Sequence, residues 1–325
     1  MHIVIPGGSG HVGTVLARHF HSAGHEVTVL SRTVRNSPWR TAVWDGKEMG
    51  PWVGEMSGAD AVVNLCGRSV DCRYTAGNRR EILASRVDAT RVLGRAIAAM
   101  ERPPRVWLNA STATIYRHSL DRDMDDVTGE IGGSEPGVPD TWRFSIDVAT
   151  AWEREFFAAE TPHTRKVALR SAMTMSPERG GIFDVLLRLV RFGLGGSIGS
   201  GAQFVSWIHA VDFVRAVEFM ISHERLEGTC NVSSGHPLPQ REFMRILRAA
   251  YGMPVGLPTA EWMVAIGAWL LRTETELILK SRRVVPRLLT DAGFGFEFTE
   301  WKSAAADLVS RWRASRLIIA APGTN

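Results

Sequence analysis

Residues 3–20 read IVIPGGSGHVGTVLARHF, and the punctuation of this stretch decides the fold. A short apolar run, His2–Pro6, has the branching and length of a buried strand. After the glycines, Val12, Val15, Leu16, His19, Phe20 and Ala23 recur at helical spacing and form one apolar stripe. Between strand and helix stand Gly7, Gly10 and Gly13, spaced G-x-x-G-x-x-G. Gly7 makes the tight turn, Gly10 lets backbone amides approach a diphosphate, and Gly13 lets the helix lie close on the sheet. The helix N-terminus adds free N–H groups and a partial positive charge. Ser9, His11 and Val12 complete the expected cradle for an anionic dinucleotide. The plainer alternative is a glycine-rich turn that only packs helix on sheet.

Outward from this stretch, β-branched runs alternate with longer helical patterns. Strands are expected at Glu26–Leu30, Ala42–Trp44, Ala61–Leu65, Val106–Asn109 and Val167–Arg170. Leu83, Val87, Thr90, Gly94 and Ile97 mark a longer helix stopped by Pro103-Pro104. Strand–helix alternation predicts an α/β fold, a Rossmann-type doubly wound parallel sheet. Beyond Arg170 the pattern changes. GGIFDVLLRLVRFGLGGSIGSG is an apolar helix between glycine-rich turns, SWIHAVDFVRAVEFMI is a short strand feeding a helix, and helical segments dominate after Pro237. The reading is a nucleotide-binding domain over 1–170, with 203–233 returning to it. Residues 171–202 and 234–325 then form a smaller, mostly helical substrate domain. The terminal APGTN is expected to fray.

The end of the second strand selects the cofactor. An Asp or Glu there would bind the ribose 2′-hydroxyl of NAD. The chain instead has Ser31-Arg32, followed by Arg35. A guanidinium grips a 2′-phosphate in a bidentate manner, whereas a carboxylate repels it. NADP(H) is therefore the expected cofactor, against the plainer alternative that Arg32 and Arg35 sit on a solvated loop.

Composition excludes several classes. Lys+Arg 38 against Asp+Glu 34 in 325 residues is a mixed surface, not a nucleic-acid-binding stripe. Cys66, Cys72 and Cys230 build neither a disulfide framework nor a zinc pattern, so no metal is expected. The chain enters a strand at residue 2, and its longest apolar stretch, Trp262–Leu271, is too short to span a membrane. A cytoplasmic protein with a small-molecule substrate is the expectation; oligomeric state is not readable.

GGSGHVG, VVNLCG, STATIY, the LR of VALRSAM, and SWIHAVD follow the order of the extended short-chain dehydrogenase/reductases, which the chain resembles. Trp44-Asp45, REILASRVDATRVL, Ala151–Glu153, GLGGSIGSGAQFVSWIH and RRVVPRLLTDAGFGFEF narrow the resemblance. They are similar to the YfcH/SDR39U1-like epimerase family, and the last segment resembles its C-terminal domain, DUF1731. The resemblance implies a Rossmann domain with NADP(H) and a cleft beneath a helical cap. It also places Asp45 near the adenine, runs Asn64, Leu65, Cys66 and Gly67 beside the cofactor, and gives Thr112 a substrate oxygen to bind, against a turn residue that merely follows a strand.

One departure limits the inherited chemistry. The wider superfamily uses Tyr-x-x-x-Lys, two side chains on one helix face. The ammonium favours tyrosinate, so the phenol exchanges a proton while the nicotinamide moves a hydride. Aligned through Ala151–Glu153, those positions hold Ser145 and Ala149. The residues four places after Tyr74, Tyr116 and Tyr251 are Asn78, Leu120 and Val255, so the pair is nowhere else. With no neighbouring cation to lower its high intrinsic pKa, Ser145 is a poor acid–base replacement. Tyr116, at a strand's carboxyl end, is the first candidate substitute, against a ring packed under its loop. His209 is the next, against a helix-start histidine bonded near Asp212, and Asp147, His118 and Asp121 rank lower. Arg68 and Arg73 are candidates for an anionic substrate, against plain solvation. Three functions remain: an oxidoreductase acting on a small carbonyl or activated alkene, an epimerase, dehydratase or isomerase, and a non-catalytic NADP(H) sensor.

Overall fold

The structure, a computed structural model, describes residues 1–259 and 276–320. Trp262–Leu271 and the APGTN tail lie outside the described residues. The first half of the chain supplies strands β1 (His2–Pro6), β2 (Glu26–Ser31), β3 (Arg40–Val43), β4 (Ala61–Asn64), β5 (Val106–Thr112) and β6 (Arg165–Ser171). Helices α1 (His11–Ser22), α2 (Ala76–Ala98) and α3 (Asp140–Ala158) connect them. There follow β7 (Met173–Met175), α4 (Ile182–Arg191), β8 (Phe204–Val205), β9 (Trp207–His209), α5 (Ala210–Ser222), β10 (Gly228–Val232), β11 (Leu238–Pro239) and α6 (Gln240–Tyr251). After the undescribed segment come α7 (Glu276–Leu279), α8 (Arg287–Asp291) and α9 (Trp301–Ala320).

Seven strands form one parallel sheet in the order β10-β6-β5-β4-β1-β2-β3. The chain winds outward from β1 through β2 and β3, then restarts at β4 and winds the other way. A crevice therefore opens at the carboxyl ends of β1 and β4, where open α/β sheets bind ligands. Side-chain alternation feeds two cores. Ile3 and Ile5 pack with Leu16 and Phe20 of α1 and Phe213 and Val217 of α5. Val4, one residue out of phase, packs on the opposite face with Leu93, Ile97, Trp107 and Phe156. This is the doubly wound arrangement anticipated from the alternating pattern. β5 runs three residues further than expected, making Thr112 its last residue, and α2 stops well before Pro103.

A third core binds the smaller, mostly helical part. Phe183, Leu187 and Val190 of α4 meet Phe243 and Leu247 of α6 and Trp301, Leu308 and Trp312 of α9. Trp301 stacks on Phe243 at 4.1 Å and donates its indole N–H to that residue's carbonyl. Between these parts, α5 and β10 belong to the large sheet, whereas β8 pairs with β11 outside it.

Asp212 ties the two together. Its carboxylate, on the first turn of α5 and fully buried, accepts the amides of Glu297 and Phe298 at 2.8 Å and Arg215 at 2.9 Å. Replacement by alanine would strand two amides. Asp212→Ala should cost roughly 3 kcal/mol, read as a lower urea midpoint; an unchanged midpoint would show that the 297–298 turn finds other partners.

Candidate functional site

The loop between β1 and α1 is held by contacts too close for side chains. Gly7 has φ +75°, and a Cβ there would sit 2.9 Å from the Cys66 amide nitrogen. A Cβ on Gly13 would lie 2.5 Å from Cα of Gly8, and one on Gly8 2.9 Å from the Ile5 carbonyl. Gly8 is thus a fourth required glycine that the triplet spacing did not single out. Gly10 differs: its Cβ would meet only the Gly7 carbonyl, at 3.5 Å. Its absent side chain leaves open space above α1, whose first turn has neither a side-chain cap nor an acidic residue. His11, Val12 and Gly13 are its first residues, so their N–H groups have no partner four residues back.

The end of β2 closes one side. Ser31 donates its hydroxyl to Ser9 at 3.1 Å, and Arg35 reaches back to the Ser9 carbonyl at 3.1 Å. Arg32 and Arg35 are exposed. Asp45 is exposed too, its carboxylate accepting the amides of Lys47 and Glu48, which hold it below the usual carboxylate range. On the other side, Leu65 continues from β4 by donating its amide to Pro6. Fully buried Asn64 donates to Asn109 at 2.6 Å and accepts the Cys66 amide at 3.1 Å, fixing the turn into Cys66 and Gly67. Burial pushes the Cys66 thiol up to about 12, opposed by Arg32 and Arg86. These residues fit a phosphate-bearing dinucleotide: open space, uncapped amides, and arginines where a carboxylate would repel it.

The candidate acids separate. Thr112 closes β5, its Oγ1 accepting the Thr114 amide at 3.1 Å. Tyr116 is not at the cleft surface. It is 2% exposed, and its hydroxyl donates to Asn231 at 2.8 Å and accepts from Arg170 at 3.0 Å. Arg170 in turn grips Glu153 through two bonds, and Ser111 donates to the same carboxylate. Burial raises the Tyr116 phenol above its ordinary range despite Arg170. The packed-ring alternative describes Tyr116. His209 caps α5 by accepting the Val211 amide, but its other nitrogen meets Asp307 at 3.1 Å, not Asp212. Asp147 is exposed, Asp121 pairs with Arg117, and Arg68 pairs with Glu81. His118 stacks on Trp142 and accepts the Ser281 amide.

Where the tyrosine and lysine would stand, the structure brings together residues that no single helix carries. Ala149 is buried among Tyr116, Met124 and Val284. Ser145 donates to Glu276, and the Tyr74 hydroxyl lies 3.3 Å from its oxygen. Glu276 is fully buried on α7, with the Lys280 ammonium 4.0 Å away. Lys280 donates to the Thr114 carbonyl at 2.7 Å, and burial lowers it to about 8 against the pull of Glu276. Arg282 donates to the Thr114 hydroxyl and to the Glu276 carbonyl. Ser145 therefore has ionic surroundings after all, supplied by a segment more than a hundred residues away. The i,i+4 spacing of Glu276 and Lys280 reads in sequence as a helix-surface ion pair. Tyr74 drops out of any search confined to Tyr-x-x-x-Lys. Among the described residues no cluster of His, Cys, Asp or Glu could hold a metal, and no helix is long and apolar enough to cross a membrane.

Residues 3–233 match the NAD dependent epimerase/dehydratase family, over two thirds of the chain. The chain belongs to that family. Residues 259–308 match a second family, the domain of unknown function DUF1731. The bovine epimerase family protein SDR39U1 is 32% identical over 95% of this chain and all of its own length. The Bacillus subtilis epimerase family protein YfhF is 27% identical over 95% of this chain and 98% of its own. In structure, human SDR39U1 with NADPH superposes with a TM-score of 0.83 at 27% identity, covering 95% of this chain and 99% of that one. The family resemblance drawn from the motifs thus holds.

A structural Tyr116 makes a prediction distinct from a catalytic one. Tyr116→Phe removes a buried hydroxyl from Arg170 and Asn231 and should cost about 1–2 kcal/mol, seen as a lower melting temperature. Dinucleotide affinity, read by calorimetry, should stay at the wild-type value; a variant as stable as wild type would contradict the buried-network role.

Proposed function

We propose that this epimerase/dehydratase-family protein is an NADP(H)-dependent oxidoreductase that reduces a small carbonyl or activated alkene without a Tyr-x-x-x-Lys pair. The observation that carries the reading is the crevice at Gly10: open space over an uncapped helix N-terminus, with Arg32 and Arg35 at the end of β2. Its likeness to an NADPH-bound relative supports the same cofactor. Gly7, Ser9, Gly10, His11, Val12 and Gly13 hold the diphosphate, and Ser31, Arg32 and Arg35 hold the 2′-phosphate. Asp45 borders the adenine, and the 64–67 turn lies alongside.

When bound, the nicotinamide supplies the hydride. The chain's own task is to orient the acceptor and deliver a proton. Thr112 binds the acceptor oxygen. The Tyr74–Ser145 hydroxyl pair carries the proton, and Glu276 and Lys280 restore it, because a lysine lowered to about 8 exchanges protons near neutral pH. Residues 1–170 with 203–233 bind the nucleotide, and 171–202 with 234–325 cover the substrate. Three free thiols suit a reducing cytoplasm. Family membership favours a second reading, an epimerase or dehydratase, in which the hydride returns to the substrate and NADPH shows no net consumption.

Calorimetric titration of cofactor-free protein with NADPH, then NADH, tests the central claim. Tight NADPH and weak NADH binding is expected; binding of neither would reject it. Arg32→Glu should weaken NADPH roughly 10- to 100-fold while leaving NADH little changed, and equal losses would remove Arg32 from the 2′-phosphate. Gly10→Val should abolish both by filling the open space, without lowering the melting temperature. NADPH oxidation in a panel of aldehydes, ketones and enones then separates net reduction from epimerisation.

A further inference from the structure

Arg86, on α2, is a cation without an anion. It is part-buried, and its guanidinium lies 5.2 Å from the Trp152 ring. One terminal nitrogen donates to the carbonyls of Arg68 and Ile82. Among the described residues no carboxylate stands within 4.0 Å of it, although Arg68, Arg79 and Arg91 on or near the same helix all have such partners. The Nε and the second terminal nitrogen have no hydrogen-bond partner among the described residues, and the face of the guanidinium lies against Gly67. A Cβ on Gly67 would lie 3.0 Å from Cζ of Arg86 and 3.1 Å from its second terminal nitrogen. The missing side chain is what gives the guanidinium its place at the end of β4.

That place is the crevice. Gly67 follows Cys66, whose backbone abuts Gly7 of the glycine loop. Arg32 from the end of β2 and Arg86 from α2 both act on the Cys66 thiol, so two guanidiniums approach this point from different elements. Burial lowers Arg86 to about 10, the sign of a charge not compensated by the protein itself. An isolated cation held out of water is costly unless an anion completes it.

We infer that Arg86 is an oxyanion-binding residue of the crevice, its free Nε edge beside Gly67 gripping a diphosphate oxygen of the dinucleotide or the carboxylate of the substrate. The inference rests on the proposed NADP(H) site for its location, and it adds a contact that the glycine loop and Arg32 do not supply. A phosphate or carboxylate meets the planar fork with two parallel N–H bonds, geometry that lysine does not reproduce.

The test uses full-length protein and its variants Arg86→Met, Arg86→Lys and Gly67→Ala, titrated by calorimetry with NADPH, NADH and inorganic diphosphate. The NADP⁺-loaded protein is titrated separately with oxamate. If the anion is the diphosphate, Arg86→Met weakens NADPH and NADH alike by about tenfold or more, unlike Arg32→Glu, which discriminates between them. Arg86→Lys should recover only part, and Gly67→Ala should weaken binding with the charge intact. If the anion is a substrate carboxylate, dinucleotide affinity stays and oxamate binding falls instead. Unchanged affinity for every probe, with only a lower melting temperature, would overturn the inference and leave Arg86 a packing partner of Trp152. Should wild type bind neither dinucleotide, the proposed function fails separately. Arg86 then stands or falls on whether inorganic diphosphate binds wild type and not Arg86→Met.

Discussion

The architecture depends on backbone lying against backbone at the start of α1. Gly13 touches Gly8, and Gly7 touches Cys66, at separations no β-carbon tolerates. These contacts set α1 close on β1 and bring the β4 turn against the glycine loop. The crevice between β1 and β4 takes its width from them. Every group assigned to the dinucleotide is positioned relative to this clasp: the uncapped amides of α1, the Ser9–Ser31–Arg35 link, and the Asn64-fixed turn carrying Cys66 and Gly67. Gly10 alone in the loop has no such contact: a Cβ there would meet only the Gly7 carbonyl, at 3.5 Å.

Charge is handled differently on the two sides of the sheet edge. Behind β5 and β6, Arg170, Glu153, Tyr116 and Asn231 satisfy one another in a closed network. Such a network fixes geometry but offers nothing to a ligand, because every polar atom is committed. In front, Glu276, Lys280 and Arg282 are buried beside Ser145 and Thr114, with the lysine lowered toward neutrality. A group poised near working pH costs stability that an ordinary core position would not ask for, and such groups collect at sites of chemistry. The two networks explain why Tyr116 and Tyr74, both near strand or loop ends, receive opposite assignments.

How legible this was follows from distance along the chain. The sheet was readable because its signals are local: the β-branched runs, the helical stripe from Val12 to Phe20, and the glycine spacing. The glycine cradle was readable for the same reason, apart from Gly8, whose role comes from contact with Gly13 and Ile5 rather than from the triplet. The surroundings of Ser145 were not. Ser145 looked chemically idle because the lysine position four residues on holds Ala149, and its partners arrive from residue 74 and from residue 276. Tyr116 looked available because a strand end is where ligands bind. Its burial depends on Asn231 and Arg170, which only the folded chain brings to it. Arg86 stands inside the REILASRVDATRVL motif, but its lack of a counter-charge is visible only in three dimensions.

The C-terminal segment that supplies Glu276, Lys280 and Arg282 is threaded into the molecule rather than laid over it. Arg282 donates its amide to Phe204, and Ser206 bridges the Arg282 carbonyl and the Val284 amide. Val285 donates to Met124, Ser281 is bonded to Ser119 and Phe204, and Asn231 donates to the Val285 carbonyl. Withdrawing this strip would strand backbone groups on several elements at once, each at a cost of about 1–3 kcal/mol. A lid is drawn from the weakly held parts of a fold; this strip is among the most heavily bonded. The strip next to Lys280 and Arg282 is thus tied to several elements of the large domain. On the proposed reading a serine backed by distant charges stands in for a tyrosine and lysine on one helix, and its geometry is held by bonds from the other end of the chain.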